Sequence, residues 1–285
     1  MKRIMVVIGS RADAGMLIWP IRVLREDGAF DVQEVSIRDC SPTGAFAHIE
    51  HHIRVKRPDM MMVLGDRFEI LAAVMKAHLE RVPIVHICGG DVTEGSYDDA
   101  MRDAISRMAS IHFVASTAAM ARLTHAGYHN VHLVGSPGID YIKHASWKRE
   151  RPYSDPYVVV SYQAETIDGT NEIRKLLDSL DLAKRTVFIL PNKDMLSGEI
   201  ADCIATFAFV NKKCVVHQEL PHGEFLNLIA HCEEFIGNSS AMLYEAPELG
   251  IKTRMIGKRQ RGRTIPWGDG CASERIAKVL KYASF

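Results

Sequence analysis

MMMVLGDRFEILAAVMKAHL, Met60–Leu79, decides the fold. Met60 to Leu64 is an unbroken apolar run of strand length, and Phe68 to Leu79 carries a helical pattern of apolar positions. A strand that is apolar throughout has both faces covered, which is the habit of a parallel sheet between two helix layers. Between the two elements stands Gly65-Asp66-Arg67, a turn that sets an acid and a base where a strand ends and a helix begins. Ligands of doubly wound sheets bind at such turns.

The same alternation runs outward in both directions. Towards the N-terminus, strands are predicted at Ile4 to Gly9 and Val32 to Ile37, with a helix at Gly15 to Arg25 between them. Towards the C-terminus, strands are predicted at Pro83 to Ile87, Ile111 to Ala115 and Val131 to Val134, and a helix at Asp98 to Met108. Gly135, Pro137 and Gly138 then interrupt the pattern, and the charged stretch Lys148 to Arg151 ends at Pro152. That break places a domain connection near residue 145. The second half repeats the architecture. Strands are predicted at Tyr157 to Ser161, Thr186 to Leu190, Lys213 to Val216, Glu234 to Ile236 and Thr253 to Ile256. Helices are predicted at Asn171 to Leu180, Ile200 to Phe209, Glu224 to Ala230, Ser240 to Leu249 and Ser273 to Tyr282. The expectation is an α/β protein of two doubly wound Rossmann-like domains, 1–145 and 146–285, sharing a ligand cleft. The final helix can pack across the domain boundary.

Composition narrows the function. A chain of 285 residues that is 47% hydrophobic fills two ordinary cores. Lys plus Arg and Asp plus Glu both number 35, and no basic tail or stripe marks a nucleic-acid surface. Apolar runs are of strand length, so no membrane span is expected. MKRIMVVIGSRAD reaches Gly9, Ser10 and Arg11 before a signal-peptide core develops. The six cysteines form no CxxC or zinc spacing. A cytoplasmic protein without a resident metal is the expectation.

Three turns are candidates for an anion site. In GNSSAMLYEAPELG, Gly237–Gly250, a strand ends in small polar residues and a helical pattern follows. Ser239 and Ser240 can donate hydroxyl hydrogen bonds, first-turn N–H groups favour an anion, and Glu245 is spaced to accept from a ribose diol. Plain N-capping by serine gives the same pattern. GSRADAG, Gly9–Gly15, offers Arg11, whose guanidinium grips a phosphate with fixed geometry, although a solvated arginine looks the same in sequence. GKRQRGR, Gly257–Arg263, brings Arg259 and Arg263 as further phosphate partners, or forms an exposed basic loop.

GSRADAG, LGDRFE, HICGGDVTEGSYDDAMRDAI, VGSPGID, PNKD, GNSSAMLYEAPELG and GKRQRGR occur in this order along nearly the whole chain. In that ordered set the chain resembles the hydrolysing UDP-N-acetylglucosamine 2-epimerases of sialic acid and nonulosonate synthesis. The resemblance implies the two-Rossmann-domain fold of one large glycosyltransferase class, called GT-B. It implies a UDP-sugar bound as substrate, with no cofactor, and a homodimer. The first domain would take the sugar or acceptor side and the second the nucleotide. Ser239 and Ser240 would contact phosphate and Glu245 ribose, Arg11, Arg67, Arg102 and Arg263 would match cleft arginines, and Asn192 of PNKD would lie near sugar and nucleotide. Asp66 and Asp98 would be the catalytic acids. Read locally, each can also cap the helix that follows, with Asp99 an adjacent candidate.

The chain departs from that family at the chemistry. Relatives remove the C2 proton, eliminate UDP, then add water. The glutamate of their HxEGGE run is matched by Cys88, and the histidine of their T-x-H-P run by Gln163, which cannot titrate near neutral pH. His217, His222 and Glu165 are the nearby titratable groups. Met16 stands at a position that is basic in relatives, and Met242 at a glycine position. Three readings follow: a divergent 2-epimerase, a glycosyltransferase acting on a glycan, small-molecule or modified nucleic-acid acceptor, and a sugar-nucleotide-binding protein of weak activity.

Overall fold

The computed structural model describes residues 1–167, 171–192, 194, 196–263 and 266–285. Lys193, within the PNKD run, lies outside the described residues. The chain divides into two compact units. The first comprises Met1–Val92, Asp98–Ala145 and Thr264–Phe285; the second comprises Thr93–Tyr97 and Ser146–Arg263. Two short stretches therefore group differently from a single cut near 145. The Glu94 N–H donates to the Arg261 carbonyl at 3.1 Å and the Tyr97 N–H to the Thr166 hydroxyl at 3.2 Å, which ties residues 93–97 to the second unit. Trp267 exchanges backbone bonds with Ala115 and Ser136, each 2.8 Å, which returns the C-terminal segment to the first.

The first unit begins with β1 (Lys2–Ile8), α1 (Arg11–Asp27), β2 (Phe30–Ser36), α2 (Pro42–Lys56), β3 (Met60–Leu64) and α3 (Phe68–Leu79). It continues through β4 (Ile84–Ile87), α4 (Asp98–Met108), β5 (Ile111–Val114), α5 (Thr117–His125), β6 (Val131–Leu133) and α6 (Pro137–His144). Its sheet is wholly parallel in the order β2-β1-β3-β4-β5-β6. Alternate residues of one strand feed two separate cores. Ile4, Val6, Met60 and Met62 pack with Leu17, Ile21 and Leu24 of α1; Met5, Val7, Met61 and Val63 pack with Ile49 and Ile53 of α2 and Ile70 and Val74 of α3. That two-residue period is why the strands read as apolar without alternation.

The second unit holds β7 (Tyr157–Ser161), α7 (Ile173–Asp178), β8 (Arg185–Ile189), α8 (Ser197–Val210), β9 (Cys214–His217) and α9 (His222–Ala230). Then come β10 (Glu234–Gly237), α10 (Glu245–Glu248) and β11 (Thr253–Met255), again all parallel, in the order β11-β10-β7-β8-β9. The last helix, α11 (Ala272–Tyr282), belongs to the first unit and packs on α1 and α6 through Ile276, Ala277 and Leu280.

Two expectations need correction. The interruption at Gly135–Gly138 is the start of α6, with Pro137 at its first turn, where a missing N–H costs nothing. The single helix expected over Ser240 to Leu249 is a 3₁₀ turn at Ser240–Met242 followed by the short α10. Pro247 has no N–H to return to the Leu243 carbonyl, so an uninterrupted helix loses a bond there. Among the described residues, no helix is long and apolar enough to cross a membrane.

Each sheet reverses its winding beside its first strand: between β1 and β3 in the first unit, and between β7 and β10 in the second. Doubly wound sheets take their ligands at such switch points, beyond the carboxyl ends of the strands.

Candidate functional site

At the first switch point, β1 runs into a tight capping box. Ser10 caps α1, its Oγ accepting from the Asp13 N–H at 3.2 Å. The Asp13 carboxylate accepts in return from the N–H groups of Ser10 and Gly9 at 2.9 and 3.1 Å. Burial pushes Asp13 up to about 6, against the opposing pull of Ser10 and the Arg67 charge. Arg11, half-buried, is the first residue of α1. Met16, one turn on, faces Gly138 of α6.

β3 ends in Gly65, at φ +83°, and Asp66. The Asp66 carboxylate pairs with Arg102, which is 1% exposed. Arg102 also pairs with Asp99 and donates to the Asp91 carbonyl at 2.7 Å. A buried guanidinium thus gathers two carboxylates and a carbonyl from the β3 loop, the β4 loop and α4. Asp98, half-buried, opens the same helix beside Asp99. Arg67 turns to Glu69, its Nε lying 3.2 Å from both carboxylate oxygens. Arg67 and Arg102, expected among the cleft arginines, are each paired with carboxylates of their own unit.

The β4 loop is Cys88-Gly89-Gly90-Asp91. Cys88 is 6% exposed and left-handed, with φ +63°, a conformation in which a side chain other than glycine is strained. Its N–H donates to the Phe113 carbonyl at 2.8 Å. Gly90 is needed here: a Cβ would stand 2.8 Å from the Ala119 carbonyl, and its φ is +76°.

In the second unit the loops after β7, β8, β10 and β11 are laced together. Asn238, fully buried, clasps the backbone of Gln163 across the switch point. Its Oδ1 accepts the Gln163 N–H at 2.6 Å and its Nδ2 donates to the Gln163 carbonyl at 2.8 Å. The Gln163 side chain passes the link onward, its Oε1 accepting the Asn192 N–H at 2.9 Å. Gln260 donates to the Asn238 carbonyl at 2.9 Å. Gly237 admits this approach because a Cβ would overlap the Ser161 carbonyl. Ser239 and Ser240 follow, half-buried, at the 3₁₀ turn, and the Ser239 Oγ accepts from the Ala241 N–H at 3.3 Å. Met242 is buried beneath them.

Glu245 opens α10, and burial pushes it up to about 7, with Arg263 pulling the other way. Arg263 donates to the Tyr244 hydroxyl at 3.2 Å and lies over its ring at 5.1 Å. Arg259 donates to the Ala164 carbonyl and stands 3.8 Å from the Asp194 carboxylate. Glu165, 2% exposed, accepts from the Tyr162 hydroxyl at 3.2 Å. Among the described residues, no group of three or more His, Cys, Asp or Glu is placed to hold a metal ion.

The structure therefore assembles Asp66, Arg102 and the acids of α4 in one unit, and Gln163, Asn192, Ser239, Ser240, Glu245, Arg259 and Arg263 in the other. Sequence reasoning missed Asp13, Asn238 and Gln260. An asparagine directly after an apolar strand was the available signal for Asn238.

The chain matches the family model described as UDP-N-acetylglucosamine 2-epimerase over residues 40–265. The chain belongs to the UDP-N-acetylglucosamine 2-epimerase family. Among this family's curated members, a Campylobacter jejuni protein named GDP/UDP-N,N'-diacetylbacillosamine 2-epimerase (hydrolyzing) is 30% identical over 235 residues. That match covers 77% of this chain and 61% of the relative, so the chain spans about three fifths of its length. The family fold is also that of the S. aureus MnaA–UDP co-structure, with TM-score 0.79, 18% identity and coverage of 99% of this chain and 96% of that one. The Neisseria meningitidis UDP-GlcNAc 2-epimerase bound to UDP-GlcNAc gives TM-score 0.79 at 14% identity, covering 98% and 99%. This member of the epimerase family thus has the two Rossmann-like lobes of the GT-B architecture.

Proposed function

We propose that this epimerase-family chain acts on a UDP-activated 2-acetamido sugar, removing the C2 proton and expelling UDP to leave a C1–C2 double bond, then adding water, with hydroxyl to C1 and a proton to C2, to release the epimerised free sugar. The observation that carries the reading is the Asp66 carboxylate, set at the end of β3 and oriented by the buried Arg102. A base must be aimed before it can take a carbon-bound proton, and such a group contributes about 10²–10⁴-fold. Asp66 is that base in this reading, and Asp98 serves the sugar hydroxyls or the returning proton. Ser239, Ser240 and Arg263 hold the departing diphosphate, Arg11 supplies a further cation, and Glu245 accepts from the ribose diol. The 2-acetamido substrates named for the relatives support the substrate class. No metal or redox group takes part, UDP is a product, and a homodimer in the cytoplasm is the working state of the proposal.

Gln163 favours a second reading. Where family chemistry uses a titratable imidazole, this chain has a carboxamide engaged with Asn192, and Cys88 replaces a glutamate. A glycosyltransferase needs a base for its acceptor but no C2 proton removal, and Asp66 or Asp98 can serve it. Steady-state UDP release separates the two. Release from UDP-N-acetylglucosamine or its 2,4-diacetamido analogue without any acceptor, with solvent hydrogen entering C2 of the sugar, supports the epimerase. Release that begins only when a glycan or small-molecule acceptor is added supports the transferase. Tight UDP binding with no release under either condition supports a binding protein.

A further inference from the structure

Beneath the Asp66–Arg102 pair lies a buried imidazole to which the proposed reaction gives no part. His86 sits in β4, fully shielded from solvent. Its Nε2 is 2.8 Å from the Gly65 carbonyl and its Nδ1 is 3.0 Å from the Ser106 hydroxyl of α4. A carbonyl only accepts, so Nε2 carries the hydrogen; Nδ1 of the neutral ring then accepts from the Ser106 O–H. Burial pushes His86 down to about 4, so the ring stays neutral at ordinary pH. Gly89 belongs to the same knot: a Cβ there would stand 2.9 Å from both His86 Nδ1 and Ser106 Oγ. One imidazole thus touches the turn that carries Asp66, the loop that carries Cys88, and the helix that carries Arg102 and Asp98.

We propose that His86 is a positioning residue of this site, fixing Asp66 through the Gly65 carbonyl and fixing α4 through Ser106. The proposal rests on the reading of Asp66 as the base. The Gly65 peptide is held from the sheet side by His86, and the Asp66 carboxylate from the helix side by Arg102, so the acid is pinned at both its backbone and its side chain. Two fully paired polar groups in an otherwise apolar strand serve orientation, since an apolar residue of equal size fills the same space without them.

The test uses the full chain and three variants, H86F, H86Q and S106A. H86F keeps volume and removes both bonds. Glutamine restores a donor near the Nε2 position. For UDP release from the sugar nucleotide, H86F is expected to lower kcat at least 100-fold with KM changed less than threefold. H86Q is expected to recover at least tenfold of that loss, S106A to lie between wild type and H86F, and the pH limbs of kcat to stay in place. Equal kcat in H86F and wild type, or no recovery in H86Q, overturns the proposal. Two readouts do not need turnover: nitrogen NMR of His86, expected to show Nε2–H and no titration between pH 5 and 8, and the crystal structure of H86F, expected to show Asp66 displaced. An Nδ1–H ring, or Asp66 unmoved, overturns it. If the wild-type chain releases no UDP, the reaction reading fails while these two measurements still decide the role of His86.

Discussion

The carboxylate of Asp140 accepts both the backbone N–H and the hydroxyl of Ser273, each at 2.6 Å, and the Ala272 N–H at 3.1 Å. Asp140 lies in α6 and Ser273 in the first turn of α11, so a buried acid caps a helix more than a hundred residues later and anchors it to the first unit. An acid at a helix N-terminus satisfies N–H groups that the helix itself cannot. D140A strands three buried donors and is expected to cost about 2–4 kcal/mol, with S273A costing about 1 kcal/mol. Urea unfolding measures both; a D140A chain as stable as wild type contradicts the clamp.

Arg102 and Asp66 test structure against chemistry. R102A removes the buried cation and leaves Asp66 and Asp99, which are partly open to water, at an expected cost of about 1–3 kcal/mol. D66N keeps the shape and removes the base. It leaves Arg102 with Asp99 and the Asp91 carbonyl and is expected to cost about 1–3 kcal/mol, while UDP release falls about 10²–10⁴-fold. Parallel unfolding and kinetic measurements separate the two effects, and a D66N chain of normal rate excludes Asp66 as the base.

Glu245 gives the binding reading a pH signature. Burial holds it up to about 7, so it exchanges its proton in the neutral range. Only the ionised carboxylate accepts from both ribose hydroxyls. UDP affinity is therefore expected to rise between pH 6 and pH 8, by up to about tenfold per unit below its pKa. In E245Q the affinity is lower at pH 8 and flat across the range. Calorimetric titration at three pH values checks this, and a wild-type affinity that is flat removes Glu245 from the ribose.

Stability carries a second signature, at lower pH. Burial holds His86, His112 and His222 down to about 4, so the folded chain refuses protons that the unfolded chain takes up near 6.5. Their contribution is full above about 6.5 and is lost as pH falls through 4. Asp13 and Glu245, pushed up to about 6 and 7, run the other way and hold protons that the unfolded chain has released. Three histidines against two acids leave about one net proton, or roughly 1 kcal/mol lost per pH unit on going from 6 to 4.5. Urea unfolding across that window is expected to show this slope, and D13N/E245Q to steepen it. Stability that grows on acidification contradicts the balance.

The strands were legible because both faces of each sheet are covered, which writes a continuous apolar run such as Met60–Leu64. α2, α5 and α6 were not read as helices. α2 buries only Ala45, Ile49 and Ile53 among histidines and charges, and α6 opens on Pro137, which looks like a break unless its place at the first turn is known. At the site, the motifs named Asp66, Arg102, Gln163 and Glu245 but not their partners. Asp66 and Arg102 stand 36 positions apart, and no spacing rule joins a strand end to the side of a helix three elements on. His86 could have been noticed as the one ionisable residue in the strand IVHI, since a polar group in a fully covered strand has to be paired.

Proton NMR of the purified chain with UDP-N-acetylglucosamine in D₂O, without an acceptor, tests the central claim most directly. The account expects UDP and N-acetylmannosamine carrying deuterium at C2, because the proton is removed to a carboxylate that exchanges with solvent before hydration. Release of UDP with the C2 proton retained would contradict it and leave hydrolysis or transfer at C1 as the chemistry.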